Sequence, residues 1–137
     1  MDAVFSIKTS VYADDESDSI EMVTEGDYSY GGGVIHLAYD ESELTGMQGT
    51  RTSFEVEGSC VNMTRVGTVN SHVMFQTGER HLFAYGTPEG VMTMGVETHS
   101  VVNRLGVTGG KLELHYTIDV MGAQISRNEV LINVDGL

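Results

Sequence analysis

Arg65 is the residue of this chain whose type and spacing best suit chemistry on a small molecule. It follows Val61 and Met63 at intervals of two, and in an extended strand that period sends all three side chains to one face. If that face is the apolar one, a guanidinium is carried inward, where it needs a partner because an unpaired buried charge is costly. Three readings stand open. Arg65 ends its run two residues before Gly67, so it can reach water. It can pair with Glu41 or Glu43. Or its planar fork can hold a ligand carboxylate bidentately. Tyr39, Tyr85 and Tyr116 are further candidates for the interior, and buried phenols want hydroxyl partners. With Arg65 they would form a polar cluster in an apolar cup, the plainer alternative being core aromatics with rim hydroxyls. Met63 and Met92 join the candidate ligand-binding set, with Glu43 at the mouth. Methionine suits core gaps and varied apolar ligands equally, so it does not discriminate.

Other chemistries find less support. Glu25, Glu41 or Glu43 could act as a general acid or base if desolvated, but no G-x-S-x-G nucleophile motif occurs and no catalytic residue is assigned. The five histidines (His36, His72, His81, His99 and His115) include no pair at i, i+2 or i, i+4, so no metal site is expected. Asp14, Asp15, Glu16 and Asp18 lack the glycine and terminal glutamate of a calcium loop and read as a solvated turn. Gly31-Gly32-Gly33 is followed by no Lys-Ser/Thr and reads as a turn, not a phosphate cradle. The single Cys60 can form no internal disulfide, which excludes a secreted disulfide framework. No cofactor is expected.

The elements that must position these residues are strands. The chain has 137 residues, a size for one domain, residues 1–137, with a real core. A net charge of −13 repels phosphate backbones and anionic lipid surfaces, so neither nucleic acid nor membrane is expected as a partner. The start of the chain lacks a signal-peptide pattern and no window reaches membrane-spanning length. A cytoplasmic location is expected.

Alternation of period two recurs along the chain. Phe5, Ile7, Thr9 and Val11 share a face, as do Ile35, Leu37 and Tyr39, then Thr52, Phe54 and Val56. Leu112, Leu114, Tyr116, Ile118 and Val120 form the clearest run. Val69–Gln76 and Arg80–Tyr85 read as a pair about Thr77-Gly78-Glu79, and Ser100–Val107 is irregular, strand or loop. Strands roughly every twelve residues, glycine turns and no helical period predict an all-β fold. The expectation is a single antiparallel up-and-down β-barrel of about eight to ten strands, which leaves no exposed edges.

The run Tyr39-x-Glu41-Ser42-x-Leu44-Thr45-Gly46-Met47-x-Gly49-Thr50 resembles the signature of the YwiB-like family of small bacterial proteins. Matches follow in order at Arg65-x-Gly67, Met74-Phe75, Tyr85-x-Thr87-Pro88-x-Gly90, Gly95-Val96-x-Thr98, Gly109-Gly110 and Leu114-x-Tyr116. The resemblance covers nearly the whole chain. It implies a calycin-type barrel, similar to lipocalins and fatty-acid-binding proteins, and supplies no activity. The leading functional expectation is a module that binds a small apolar or amphipathic anionic ligand. A homodimer packed through Val11, Val23 and Ile125 comes second, and an enzyme acting on a small acid third.

Overall fold

The computed structural model describes residues 1–137. Ten antiparallel strands form one sheet: β1 (Asp2–Ala13), β2 (Glu16–Gly31), β3 (Val34–Asp40), β4 (Arg51–Glu57), β5 (Cys60–Val66), β6 (Ser71–Gln76), β7 (Arg80–Thr87), β8 (Gly90–Gly106), β9 (Gly109–Val120) and β10 (Ala123–Gly136). The sheet order is β6-β5-β4-β3-β2-β1-β10-β9-β8-β7. The terminal strands β1 and β10 pair along ten residues, from Ala3 opposite Gly136 to Tyr12 opposite Arg127. The sheet curls into a nearly closed up-and-down barrel, as the alternation predicts. The sole helical element is a 3-10 turn at Glu43–Thr45, and no helix is long and apolar enough to cross a membrane.

The barrel is filled by the predicted faces. Phe5, Leu37, Phe54, Val56, Val61, Val96, Leu112, Leu114 and Ile132 belong to one core. Their removal from water is the main force closing the sheet, at about 25 cal/mol per Å² of apolar surface. The clearest predicted strand, β9, buries Leu112 and Leu114 and lies between β8 and β10.

Two sequence expectations need correction, and one segment left open between strand and loop is resolved. Val69–Gln76 and Arg80–Tyr85 do not form a laddered pair. The backbone of the intervening turn turns to β8: Gly78 N donates to Thr98 O at 2.9 Å, and Thr98 N donates to Glu79 O at 3.1 Å. A single bridge, Asn70 to Gly86, joins the two runs and leaves a lateral seam. Of Ser100–Val107, all but the turn residue Val107 is strand, continuous with Val91–Thr98 in the seventeen-residue β8. Its irregular pattern comes from a β-bulge between Thr98 and Ser100, which shifts the inward face from Val96 and Thr98 to Val101. Val11, Val23 and Ile125 share no patch. Val11 is half-buried on the inner side of β1, beside Thr9 and Ile20. Val23 lies opposite Ser6, whereas Ile125 sits in a bulge near the other end of β10.

Candidate functional site

One end of the barrel carries a row of polar side chains that the register assembles from four strands. Tyr39 of β3 lies opposite Thr52 of β4, Thr52 opposite Arg65 of β5, and Arg65 opposite Ser71 of β6. Cross-strand partners on one face stand about 4.5–5.5 Å apart at Cβ, so the four form a continuous band around the inner wall. Arg65 is on this face for the reason its spacing predicts: it follows Val61 and Met63, both buried.

The band is anchored by the connection between β3 and β4. Glu41 leaves β3 with its side chain only 2% exposed. Thr52 Oγ1 donates to Glu41 Oε2 at 2.7 Å, and Thr45 Oγ1 donates to Glu41 Oε1 at 3.4 Å. Arg65 Nε lies 3.8 Å from Glu41 Oε2 and donates to Thr52 Oγ1 at 3.4 Å. Thr52 thus accepts from the guanidinium and donates to the carboxylate. Neither Nη nitrogen of Arg65 has a hydrogen-bond partner in the protein. The salt-bridge alternative is present through Glu41 and not Glu43, yet most of the guanidinium fork remains free.

Backbone contacts hold this connection in place. Glu41 N donates to Thr50 O at 2.8 Å, and Val69 N donates to Thr50 Oγ1 at 3.0 Å. The turn after β5 packs so closely that a Cβ on Gly67, whose φ is +138°, would meet Gly49 O and Thr50 Cα. Glycine is required there for both the dihedral and the approach. The stretch Tyr39–Thr50 is therefore packed against the turn after β5 at the polar end of the barrel.

Behind Arg65 lies a cavity of about 140 Å³. Met63 and Arg65 of β5, Ser71, Val73 and Phe75 of β6, Phe83 and Tyr85 of β7, Met94 of β8, and Tyr116 and Ile118 of β9 line it. It sits directly inside the β6–β7 seam. Phe75 and Tyr116 form a tilted ring pair with centroids 4.7 Å apart. Tyr116 is partly buried against the core, and desolvation pushes its phenol above the usual range, with Arg65 opposing the shift. Burial likewise raises the Tyr39 phenol, with nearby Glu41 adding to the effect and Arg65 reducing it. Both phenols therefore stay protonated at neutral pH. Ser71 Oγ is buried and has no hydrogen-bond partner, an arrangement that costs about 1–3 kcal/mol.

Of the residues singled out in the sequence, Arg65, Met63, Tyr85 and Tyr116 line the cavity. Tyr39 belongs to the polar band but packs edge-on against Phe5, centroids 6.0 Å apart, away from the lining. Glu43 is on the exposed face of the 3-10 turn, because Glu41 is the acid the chain turns inward. Met92 is 53% exposed. It shares a face with Met94, but Val91 and Thr93 are exposed too, so this end of β8 extends past the packed wall. Met94 occupies the lining position instead. Glu25 pairs across from Val4 on β1, far along β2 from the cavity. Ser71 and the bridging role of Thr52 were missed. The available signal was Ser71 at two and four residues before Val73 and Phe75.

A nearly closed, ten-stranded antiparallel up-and-down barrel with a small cavity beside a partly buried arginine defines the fold class, and the sequence assigns the chain further. A family model described as "Domain of unknown function (DUF1934)" matches residues 5–132; the chain belongs to this family, the YwiB-like proteins. Among solved structures, the YwiB protein from Bacillus subtilis is similar at a TM-score of 0.88 and 21% sequence identity, over 99% of this chain and 92% of that one. No curated protein matches the chain.

Proposed function

We propose that the barrel is a small-ligand-binding module whose occupant is an amphipathic anion, held at its head by Arg65 and enclosed by the cavity. One observation carries the reading. The free guanidinium fork faces a cavity that also receives the orphaned hydroxyl of Ser71. Four Nη hydrogens and a buried hydroxyl without partners form a donor set suited to a planar oxyanion. Apolar side chains supply the rest of the lining, as binding cavities commonly do. Charge is not misplaced at the site, because Glu41 supports Arg65 from the opposite side.

The reading is tested by calorimetry and by two-dimensional NMR of the arginine Nε–H and serine amide signals, titrating simple monocarboxylates into the full chain. Saturable shifts at Arg65 and Ser71 are expected, with the shift lost in Arg65→Lys. Titrations that leave both signals unmoved at every acid tested overturn it.

A further inference from the structure

We infer that the ligand is a compact monocarboxylate whose apolar body is about the size of one ring, and that long-chain acids and dianions are excluded. This inference rests on the reading of the cavity as a binding site. Size is the first constraint. The cavity measures about 140 Å³, and an apolar protein cavity of about 150 Å³ accommodates a single benzene. Val61, Val96, Leu112 and Ile132 are fully buried and fill the barrel beyond, so an alkyl tail has nowhere to extend inward.

Shape is the second constraint. Phe75 and Tyr116, inclined at 55°, present ring surface to the cavity, which suits a flat ring packed face or edge on. Met63 and Met94 complete an adaptable apolar wall.

The third constraint is the head group. Arg65 can only donate, and the Ser71 and Tyr116 hydroxyls are free to donate beside it. Convergent donors select an acceptor, and the guanidinium charge favours a carboxylate over a neutral amide. Counting charge narrows the choice further. Arg65 and Glu41 cancel, so a monoanion leaves the enclosure at about −1 and a dianion at about −2, and each additional buried charge is strongly disfavoured. The chain already carries −13, which adds to the selection against dianions.

The test compares benzoate, cyclohexanecarboxylate, benzamide, phthalate and dodecanoate at fixed ionic strength, by calorimetry and by the Arg65 and Ser71 NMR signals. Benzoate and cyclohexanecarboxylate are expected to bind, with the other three weaker by about tenfold or more. Arg65→Lys keeps a cation beside Glu41 but removes the fork, and should weaken benzoate by about tenfold to a hundredfold. Ser71→Ala should weaken it less while leaving the fold intact. Dodecanoate or phthalate matching benzoate, with shifts at Arg65, would overturn the class assignment and leave the binding reading standing. If no acid moves either signal, both are overturned.

Discussion

Asn70 and Gly86 exchange both backbone hydrogen bonds, at 2.9 and 2.8 Å, and theirs is the bridge that fastens β6 to β7. Elsewhere in the barrel, neighbouring strands share extended ladders. The seam-facing amides of Ser71–Gln76 and Arg80–Tyr85 lack such partners, and local opening should be easiest there. Hydrogen exchange should show these amides exchanging well before those of β1, β9 and β10. Uniform protection across all ten strands would show that the seam is not a weak line. The same opening would give a small molecule its shortest route to the cavity, so bound benzoate should slow exchange along the seam.

Glu41 and Arg65 set the stability of the polar end. Arg65→Ala removes the cation beside a buried carboxylate, an operation that costs about 3–5 kcal/mol for a buried pair. Arg65 retains 21% side-chain exposure, which places the expectation near the lower figure. Urea unfolding should show the loss. Glu41→Gln combined with Arg65→Met should recover much of it, because no charge is then left unpaired. A double variant as unstable as Arg65→Ala would contradict this account of the pair.

A second ion pair controls the acid limit. Arg80 Nε donates to Asp119 Oδ2 at 2.9 Å and Nη2 donates to Oδ1 at 2.6 Å, while Gly122 N also donates to Oδ1 at 3.1 Å. The hydrogen bonds from Arg80 hold the Asp119 carboxyl below the ordinary carboxylate range. A depressed folded value means the stabilisation is complete above the unfolded value, about 3.9, and is lost as pH falls through the folded one. Melting temperature should therefore decline below about pH 4, and Asp119→Asn should flatten that decline. An unchanged acid limb in the variant would exclude Asp119 as its source.

The phenols govern the alkaline side. Burial raises Tyr28, Tyr39 and Tyr116 above the ordinary value. Each folded phenol holds its proton more tightly than the unfolded one, so its contribution is complete below about pH 10 and disappears as pH rises through the folded value. A near-ultraviolet titration should show a late-ionising group of tyrosines whose appearance coincides with unfolding. Complete ionisation near pH 10 without loss of structure would refute the assignment.

Gly67 and Gly46 offer a matched pair. Both have positive φ, +138° and +75°, but a Cβ on Gly46 meets open space, whereas one on Gly67 meets Gly49 O and Thr50 Cα. Gly46→Ala should cost about 1 kcal/mol. Gly67→Ala should cost several times more, since the turn after β5 must then move off the Tyr39–Thr50 connection. Equal melting temperatures would show that this packing is slack.

The inward faces were legible in the sequence because a strand's side chains alternate without exception unless a residue is inserted. Leu37, Phe54, Val61 and Leu112 follow directly from that rule, and so does Arg65. The departures have physical causes that alternation does not encode. Met92 keeps the correct face but lies beyond the wall that would cover it. The choice of Glu41 over Glu43 depends on a 3-10 turn whose capping, Leu44 N donating to Ser42 Oγ at 3.3 Å, sets which acid turns inward. Ser71 carries a short hydroxyl found equally in turns and on surfaces, so only its register with Arg65 marks it. The β6–β7 seam was read as a hairpin because a turn sequence reveals where a chain reverses, not which neighbour accepts its hydrogen bonds.

The strand with the plainest alternation, β9, has a bulged neighbour on each side: β8 takes up one surplus residue at Thr98–Ser100, and β10 another at Gln124–Ser126. β9 thus acts as the ruler against which both neighbours absorb their length errors. Related chains can gain or lose a residue at either bulge and keep their interior, whereas one inserted into β9 would turn its inward side chains outward and leave neither flank able to compensate.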